Sequence, residues 1–155
     1  MSSYVHVFLR VNEDTFAQVG CGSGSTKIYH YISPWVHYGC IKELSPNAIA
    51  RIRERANDDL NEYKRTIEQY QNQIEIIGTW NNSVDDKLEA IYDIDRSIKE
   101  LQQEIDEINA FFIQLNLFED MIDMDYYDED KPMRELWGGV DCGSIVSVND
   151  IEKTP

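Results

Sequence analysis

The sequence has few basic residues and no long apolar run, and each shortage excludes a class of protein. It contains 14 Lys and Arg residues against 29 Asp and Glu residues, which gives a formal net charge of −15. Because a surface of this sign repels phosphate backbones, we do not expect direct binding to nucleic acid. A membrane-spanning helix needs about 18 or more consecutive apolar residues, and the sequence has no such run, so we expect no membrane contact.

Export features are also missing. The N-terminus does not have the basic segment followed by an apolar segment that marks a signal peptide. There are only three cysteines, and an odd number does not fit a disulfide framework. We therefore expect a cytoplasmic protein with reduced thiols.

No motif for catalysis or cofactor binding stands out. The glycine-rich loop of residues 20–27 places its lysine after the threonine, whereas a phosphate-binding loop has the lysine first and opens a helix. The acidic run of residues 119–130 has no glycine, which an EF-hand calcium loop requires at its sixth position. We therefore predict a protein that is not an enzyme, with no catalytic residue, no metal and no cofactor.

A zinc site is the strongest chemical alternative. His37 and Cys40 are separated by two residues, a spacing that zinc ligands often share. The further ligands on which such a site would draw are Cys21, Cys142, His30 and His6. No second paired spacing exists, so structural side chains are the simpler interpretation, and the convergence of these residues is left open.

Two long amphipathic helices dominate the pattern. The serine and proline at residues 45–46 suit an N-cap and a first helical position, so one helix is predicted to begin here and to end at Gly78. Residues 82–83 cap a second helix, predicted to extend to about Ile122. Its apolar stripe has steps of three and four. The stripe is predicted to contain Val84, Leu88, Ile91, Ile94, Ile98, Leu101, Ile105, Ile108, Phe112, Leu115, Phe118 and Ile122.

The short connection between these helices predicts an antiparallel hairpin. β-Forming stretches precede and follow it, at residues 4–11, 15–19, 27–32, 136–140 and 144–148. We predict an α+β fold: a long antiparallel α-helical coiled-coil hairpin with a small antiparallel β-sheet at its base, formed by N- and C-terminal strands. Residues 1–155 are expected to form a single domain, with a β-rich base (1–44), the hairpin (45–122), and an acidic loop with C-terminal strands (123–155).

The negative charge is segregated along the chain. Residues 84–118 carry nine acids and three bases, and residues 119–155 carry eleven acids and three bases, so this half holds −14 of the −15. Solubility alone does not require such segregation, which predicts contact with a basic protein partner. The predicted contact residues are Asp93, Glu100, Glu104, Glu107, Glu119, Asp120, Asp123, Asp125, Asp128, Glu129, Asp130 and, in the turn between the helices, Trp80.

The end of the second helix needs cover beyond its partner helix. Between Phe111 and Phe118, apolar residues occupy more than one face. The sheet or a second copy of the chain must bury the remainder, and we expect a homodimer.

These features favour a non-enzymatic, acidic binding protein. It would act as an inhibitor that occupies a basic, nucleic-acid-binding surface of a partner protein by imitating nucleic acid. Small acidic proteins of viruses and mobile elements use this physics, so such an origin fits the function. One alternative is a structural coiled-coil assembly module in which charge serves solubility. The other is a small metal-dependent regulator built on Cys and His residues.

Overall fold

The computed structural model describes residues 4–10, 13–36, 41–117, 121–124, 134–136, 140–142 and 145–155. It confirms two long helices packed together and a small sheet. In chain order, the elements are β1 (Tyr4–Arg10), β2 (Thr15–Ser23), α1 (Lys27–Ile32), β3 (Ile41–Glu43), α2 (Pro46–Gly78), α3 (Val84–Leu117), β4 (Met121–Met124), β5 (Arg134–Leu136), β6 (Val140–Cys142), β7 (Ile145–Ser147) and β8 (Glu152–Lys153). Single 3₁₀ turns cover Ser33–Trp35 and Val148–Asp150.

Six strands form one mixed sheet in the order β7-β2-β1-β4-β3-β8, and β5 pairs with β6 separately. The β3–β8 pair is parallel, and the other pairs are antiparallel. The sheet combines N-terminal and C-terminal strands. β1 and β2, which occupy the first two predicted β-forming stretches, pair antiparallel as a β-hairpin. Strand β4, which comes soon after α3, lies in the centre between β1 and β3.

Residues 27–32 form helix α1, so the strand predicted there was wrong. The Thr26 hydroxyl caps the helix by accepting a hydrogen bond from the Tyr29 N–H at 3.4 Å. A side chain at Gly22 would collide with this hydroxyl, so β2 approaches the cap only because a glycine stands there. Tyr31 and Ile32 are both buried. Neighbouring residues point to opposite faces of a strand, whereas this helical turn buries two in succession.

Helix α3 ends at Leu117, before the predicted end at Ile122. Residues 121–124 form β4 instead, where Ile122 stands opposite Val7 of β1 and Lys42 of β3. Pairing on both sides gives this backbone hydrogen-bond partners that are distant in sequence. The apolar spacing that suggested a longer helix contains no information about those partners.

The beginning of α2 is tied to the C-terminal residues. Ser45 is the predicted cap, because its hydroxyl accepts a hydrogen bond from the Ala48 N–H at 3.1 Å. Its own N–H donates to the Thr154 hydroxyl at 2.7 Å, and its hydroxyl donates to the Pro155 carbonyl at 2.8 Å. The Thr154 N–H donates to the Glu43 carbonyl at 3.0 Å, next to the parallel β3–β8 pair. Residues distant in sequence therefore hold the helix start.

We expect Thr154→Val to lower the free energy of unfolding by about 1–3 kcal/mol. Thr154 is buried, and the isosteric valine leaves the Ser45 N–H without its acceptor. Denaturation with urea measures the change. The matched control is Thr79→Val, which removes a hydroxyl from an exposed turn and should change stability by no more than about 0.5 kcal/mol. Equal losses in the two variants would contradict the role of Thr154.

Helices α2 and α3 each bury one face, which consists of a stripe of apolar residues. In α2, the buried or half-buried members are Ile49, Ile52, Ala56, Leu60, Tyr63, Ile67, Tyr70, Ile74 and Ile77. In α3, they are Ile91, Ile94, Ile98, Leu101, Ile105, Ile108, Phe112 and Leu115. Both sets follow the predicted steps of three and four, which keep one face of each helix apolar.

Val84 and Leu88 are 70% and 58% exposed, so their predicted place in this stripe was wrong. From Ile91 onward, the steps alternate between three and four. The step before that pattern, from Leu88 to Ile91, and its first step, from Ile91 to Ile94, are both of three residues. Two successive steps of three rotate Leu88 away from the buried face of the helix. In this first part of α3, it is Lys87 that contacts the end of α2: its Nζ donates a hydrogen bond to the Gly78 carbonyl at 3.4 Å.

The end of α3 has the additional cover that its sequence requires. Phe111 and Leu115 are buried, and the Phe111 ring packs against Tyr31 of α1 with 5.2 Å between centroids. The Arg55 guanidinium carbon lies 5.9 Å from the centroid of the same tyrosine ring. Ile113 remains 61% exposed. The chain itself thus covers part of the apolar surface that motivated the homodimer.

The chain divides into two compact units. The first contains Met1–Arg55 and Phe111–Pro155, and the second contains Ala56–Ala110. In the first unit, a buried cluster of Phe8, Phe16 and Ile41 packs against residues of the C-terminal segment. The second unit contains the greater part of α2 and α3 and the turn that joins them.

Candidate interaction surface

A row of carboxylates runs along α3. We define the long acidic row as Asp86, Asp93, Glu100 and Glu107, all of which are exposed. They recur every seven residues, so they share one helix face at intervals of about 10.5 Å. Among the described residues, no ion pair engages any of the four carboxylates. Three of them, Asp93, Glu100 and Glu107, are residues that the sequence predicted as partner contacts.

The bases of α3 are too few to neutralise this row, although Arg96, three residues after Asp93 and four before Glu100, lies on the same helix face. The helix carries nine acids and three bases, a net charge of −6. One of its bases, Lys99, pairs with Asp95 at 3.2 Å on a neighbouring face. The row is therefore a surface of net negative charge, which attracts cations and basic protein surfaces.

Glu104, another predicted contact, occupies a different position. It is half-buried and lines an open groove of about 470 Å³ between α2 and α3. The other residues that line the groove are Thr66, Tyr70, Ser97, Glu100, Leu101 and Gln103. Glu104 is thus partly covered beside α2, whereas Glu100 of the long acidic row lines the same groove and remains exposed.

Asp123 does not lie in an acidic loop, so its predicted setting was wrong. It belongs to central strand β4, opposite His6 of β1 and Ile41 of β3. Backbone pairing with both neighbouring strands fixes it there. The other predicted contacts of this run lie outside the described residues; they are Glu119, Asp120, Asp125, Asp128, Glu129 and Asp130.

Trp80 lies in the turn after α2, as predicted, and its indole is partly accessible. Its backbone N–H donates to the carbonyl of Ile77 at 3.0 Å, and its side chain is 43% exposed. Ile77 itself is buried. The indole therefore leaves apolar surface beside the turn.

The residues considered for zinc are only partly described. The sheet register sets His6 opposite Cys21 of β2 on one side and Asp123 of β4 on the other. His30 packs its ring edge-on against the following tyrosine, at 4.8 Å between centroids. Of the remaining candidates, Cys142 belongs to the separate β5–β6 pair, and His37 and Cys40 lie outside the described residues. Among the residues that the structure describes, no group of three or more such residues is arranged to hold a metal.

Sequence reasoning missed an exposed apolar row at the beginning of α3. We define the apolar row as Val84, Leu88 and Tyr92, which are 70%, 58% and 66% exposed. Residues four positions apart share one face of a helix. The spacing contained this signal, because the three residues follow steps of four. They do not continue the alternating steps of three and four that define the buried stripe. Across the turn, Ile76 is also exposed, at 58%.

The chain matches no protein-family model, no curated protein and no solved structure. In the described part of the chain, no helix has the length and apolar character needed to cross a membrane. The geometry of the acidic surface is therefore the basis on which a function is proposed.

Proposed function

We propose that this protein is a non-enzymatic binding protein that occupies a basic surface of a partner protein. It inhibits that partner by competing with nucleic acid for the surface. The observation that carries the proposal is the long acidic row: four exposed carboxylates on one face of a rigid helix, without a compensating ion pair among the described residues. A basic protein surface is the natural complement, because opposite potentials steer the encounter and fix its orientation.

The spacing of the row supports competition with nucleic acid. Seven helical residues rise about 10.5 Å. Three nucleotides along one strand of duplex DNA rise by about the same distance, at about 3.4 Å each. A regular row of carboxylates therefore offers repeated negative charge to basic side chains that otherwise contact a phosphate backbone.

We further propose that α2 and α3 form an antiparallel coiled-coil hairpin that presents this row. Three contacts support it: Lys87 with the Gly78 carbonyl, Tyr70 and Leu101 in one groove, and the Arg53 guanidinium with the Asn116 side chain. Residue numbers fall along α2 as those of the facing residues rise along α3, which is the pattern of antiparallel helices. The steps alternate between three and four along the whole α3 stripe, and from Leu60 onward in the α2 stripe, which is the pattern of a coiled coil.

The test is charge reversal with a matched control. Changing Asp86, Asp93, Glu100 and Glu107 to lysine should reduce capture of basic proteins from a cell lysate at least about tenfold, because attraction becomes repulsion. The control changes four exposed acids of α2 to lysine and alters the net charge equally; they are Glu54, Asp58, Glu62 and Glu68. Capture by the control should stay near that of the unaltered protein.

Salt and competition complete this test. Capture should fall between about 0.05 M and about 0.5 M salt, because screening weakens exposed charge pairs. Duplex DNA should displace the protein from the captured partners, which are identified by mass spectrometry. If capture changes neither with salt concentration nor with charge reversal, the proposal is contradicted. That result would support the alternative function, a homodimeric coiled-coil assembly module. Exposed Ile113 gives that alternative its own support.

A further inference from the structure

The apolar row of α3 is a stripe without a partner in the described structure. Val84, Leu88 and Tyr92 keep more than half of their surface exposed, although α3 buries its other apolar face. Monomeric proteins rarely expose aligned large apolar side chains, and such rows often mark interaction sites. Three residues at intervals of four form a line that one side of a second helix can follow.

A second row of opposite character borders this one. Each apolar residue is followed directly by an acid: Asp85, Glu89 and Asp93, which are all exposed. We call these the flanking acids. Consecutive residues lie about 100° apart around a helix, so the acids form a parallel line beside the apolar row. The first three turns of α3, residues 84–95, contain five acids and one base, a net charge of −4.

We propose that the apolar row and its flanking acids bind a basic amphipathic helix of another protein. Such a helix carries apolar residues at matching intervals and Lys or Arg residues beside them. The inference rests on the proposed function in that both call for a basic partner, and Asp93 belongs to both surfaces. Its anchor is the apolar row, which contains no residue of the long acidic row. It identifies the partner element as a helix, anchored by apolar contacts and oriented by charge.

Charge also disfavours a second copy of this chain as the occupant. Two copies that met along the apolar row would bring two lines of carboxylates together, each on a segment of net charge −4. Like charges placed opposite one another oppose association. An anionic membrane surface meets the same repulsion. A basic helix is the occupant that satisfies both the apolar row and the flanking acids.

The probe is a fluorescein-labelled helical peptide of about 15 residues, with leucine at every fourth position and arginine after each leucine. Two control peptides replace the arginines by glutamate or the leucines by glutamine. Fluorescence anisotropy with the full chain should show saturable binding of the first peptide and at least about tenfold weaker binding of both controls. Lack of saturable binding of the first peptide would overturn the proposal.

Two sets of variants locate the binding site. Val84→Gln, Leu88→Gln and Tyr92→Gln together should weaken peptide binding at least about tenfold, whereas Ile113→Gln, equally exposed on the same helix, should not. Asp85→Asn with Glu89→Gln should weaken it more than the charge-matched control, Glu100→Gln with Glu107→Gln. An equal effect of the two acid pairs would reduce the interaction to long-range attraction and overturn the proposal.

Sedimentation of the free protein tests the other occupant. The sedimentation coefficient of the variant with the three glutamine substitutions should equal that of the unaltered chain. A dimer that these substitutions dissociate would overturn the proposal and assign the row to a second copy. Reversal of Glu100 and Glu107 alone, which are not flanking acids, tests the proposed function separately. Peptide binding without lysate capture, or the converse, then distinguishes failure of one proposal from failure of the other.

Discussion

Phe111→Ala should lower the free energy of unfolding by about 3–5 kcal/mol. Phe111 is buried, and its ring lies 5.2 Å from that of Tyr31. Truncation removes this aromatic contact and leaves a cavity between α1 and the end of α3, and the surrounding side chains close such a cavity only in part. Chemical denaturation followed by circular dichroism measures the loss.

The control for this variant lies two positions further along the same helix. Ile113→Ala also removes a large apolar side chain, but from a site that is 61% exposed. It should change stability by no more than about 0.5 kcal/mol, apart from a small gain in helix propensity. If the two variants lost equal stability, the Tyr31 contact would not be what stabilises this end of α3.

Ile108→Asp should destabilise the second unit by about 4 kcal/mol or more. Ile108 is completely buried in the stripe of α3. The substitution removes apolar burial and places a carboxylate where water does not reach it, and an unpaired buried charge is far more costly than a lost methyl group. Thermal unfolding should show a lower midpoint, and amide hydrogen exchange should be faster between residues 56 and 110.

Asn109→Asp is the matched control for charge. It adds the same carboxylate at the next position of α3, which is exposed. It should stay within about 0.5 kcal/mol of the unaltered protein. A large loss in this variant would show that repulsion among the acids of α3, rather than burial, limits stability.

Both long helices could be predicted from the sequence because their signals are local. The Ser45 cap, with its hydroxyl 3.1 Å from the Ala48 N–H, formed as its position before Pro46 predicted. The end of α2 at Gly78 was also correct. Apolar steps of three and four predicted most of the buried stripe, since a helix converts that spacing into one face.

The candidate site was predictable only in part. Asp93, Glu100 and Glu107 are exposed on one face of α3, which their seven-residue spacing implies once the helix is known. Glu104 lines the groove beside α2, and Asp123 belongs to a central strand. Their roles depend on which elements pack against them, and the count of acidic residues does not contain that information.

The sequence by itself determined where the long helices begin, where α2 ends, and that the negative charge lies in the second half of the chain. Caps, spacing and charge act over a few residues, so no distant partner is needed to read them. Only the tertiary structure decided that β4 pairs between β1 and β3 and that Thr154 holds the Ser45 N–H. Each of these depends on backbone or side-chain partners distant in sequence, and a local pattern does not choose among such partners.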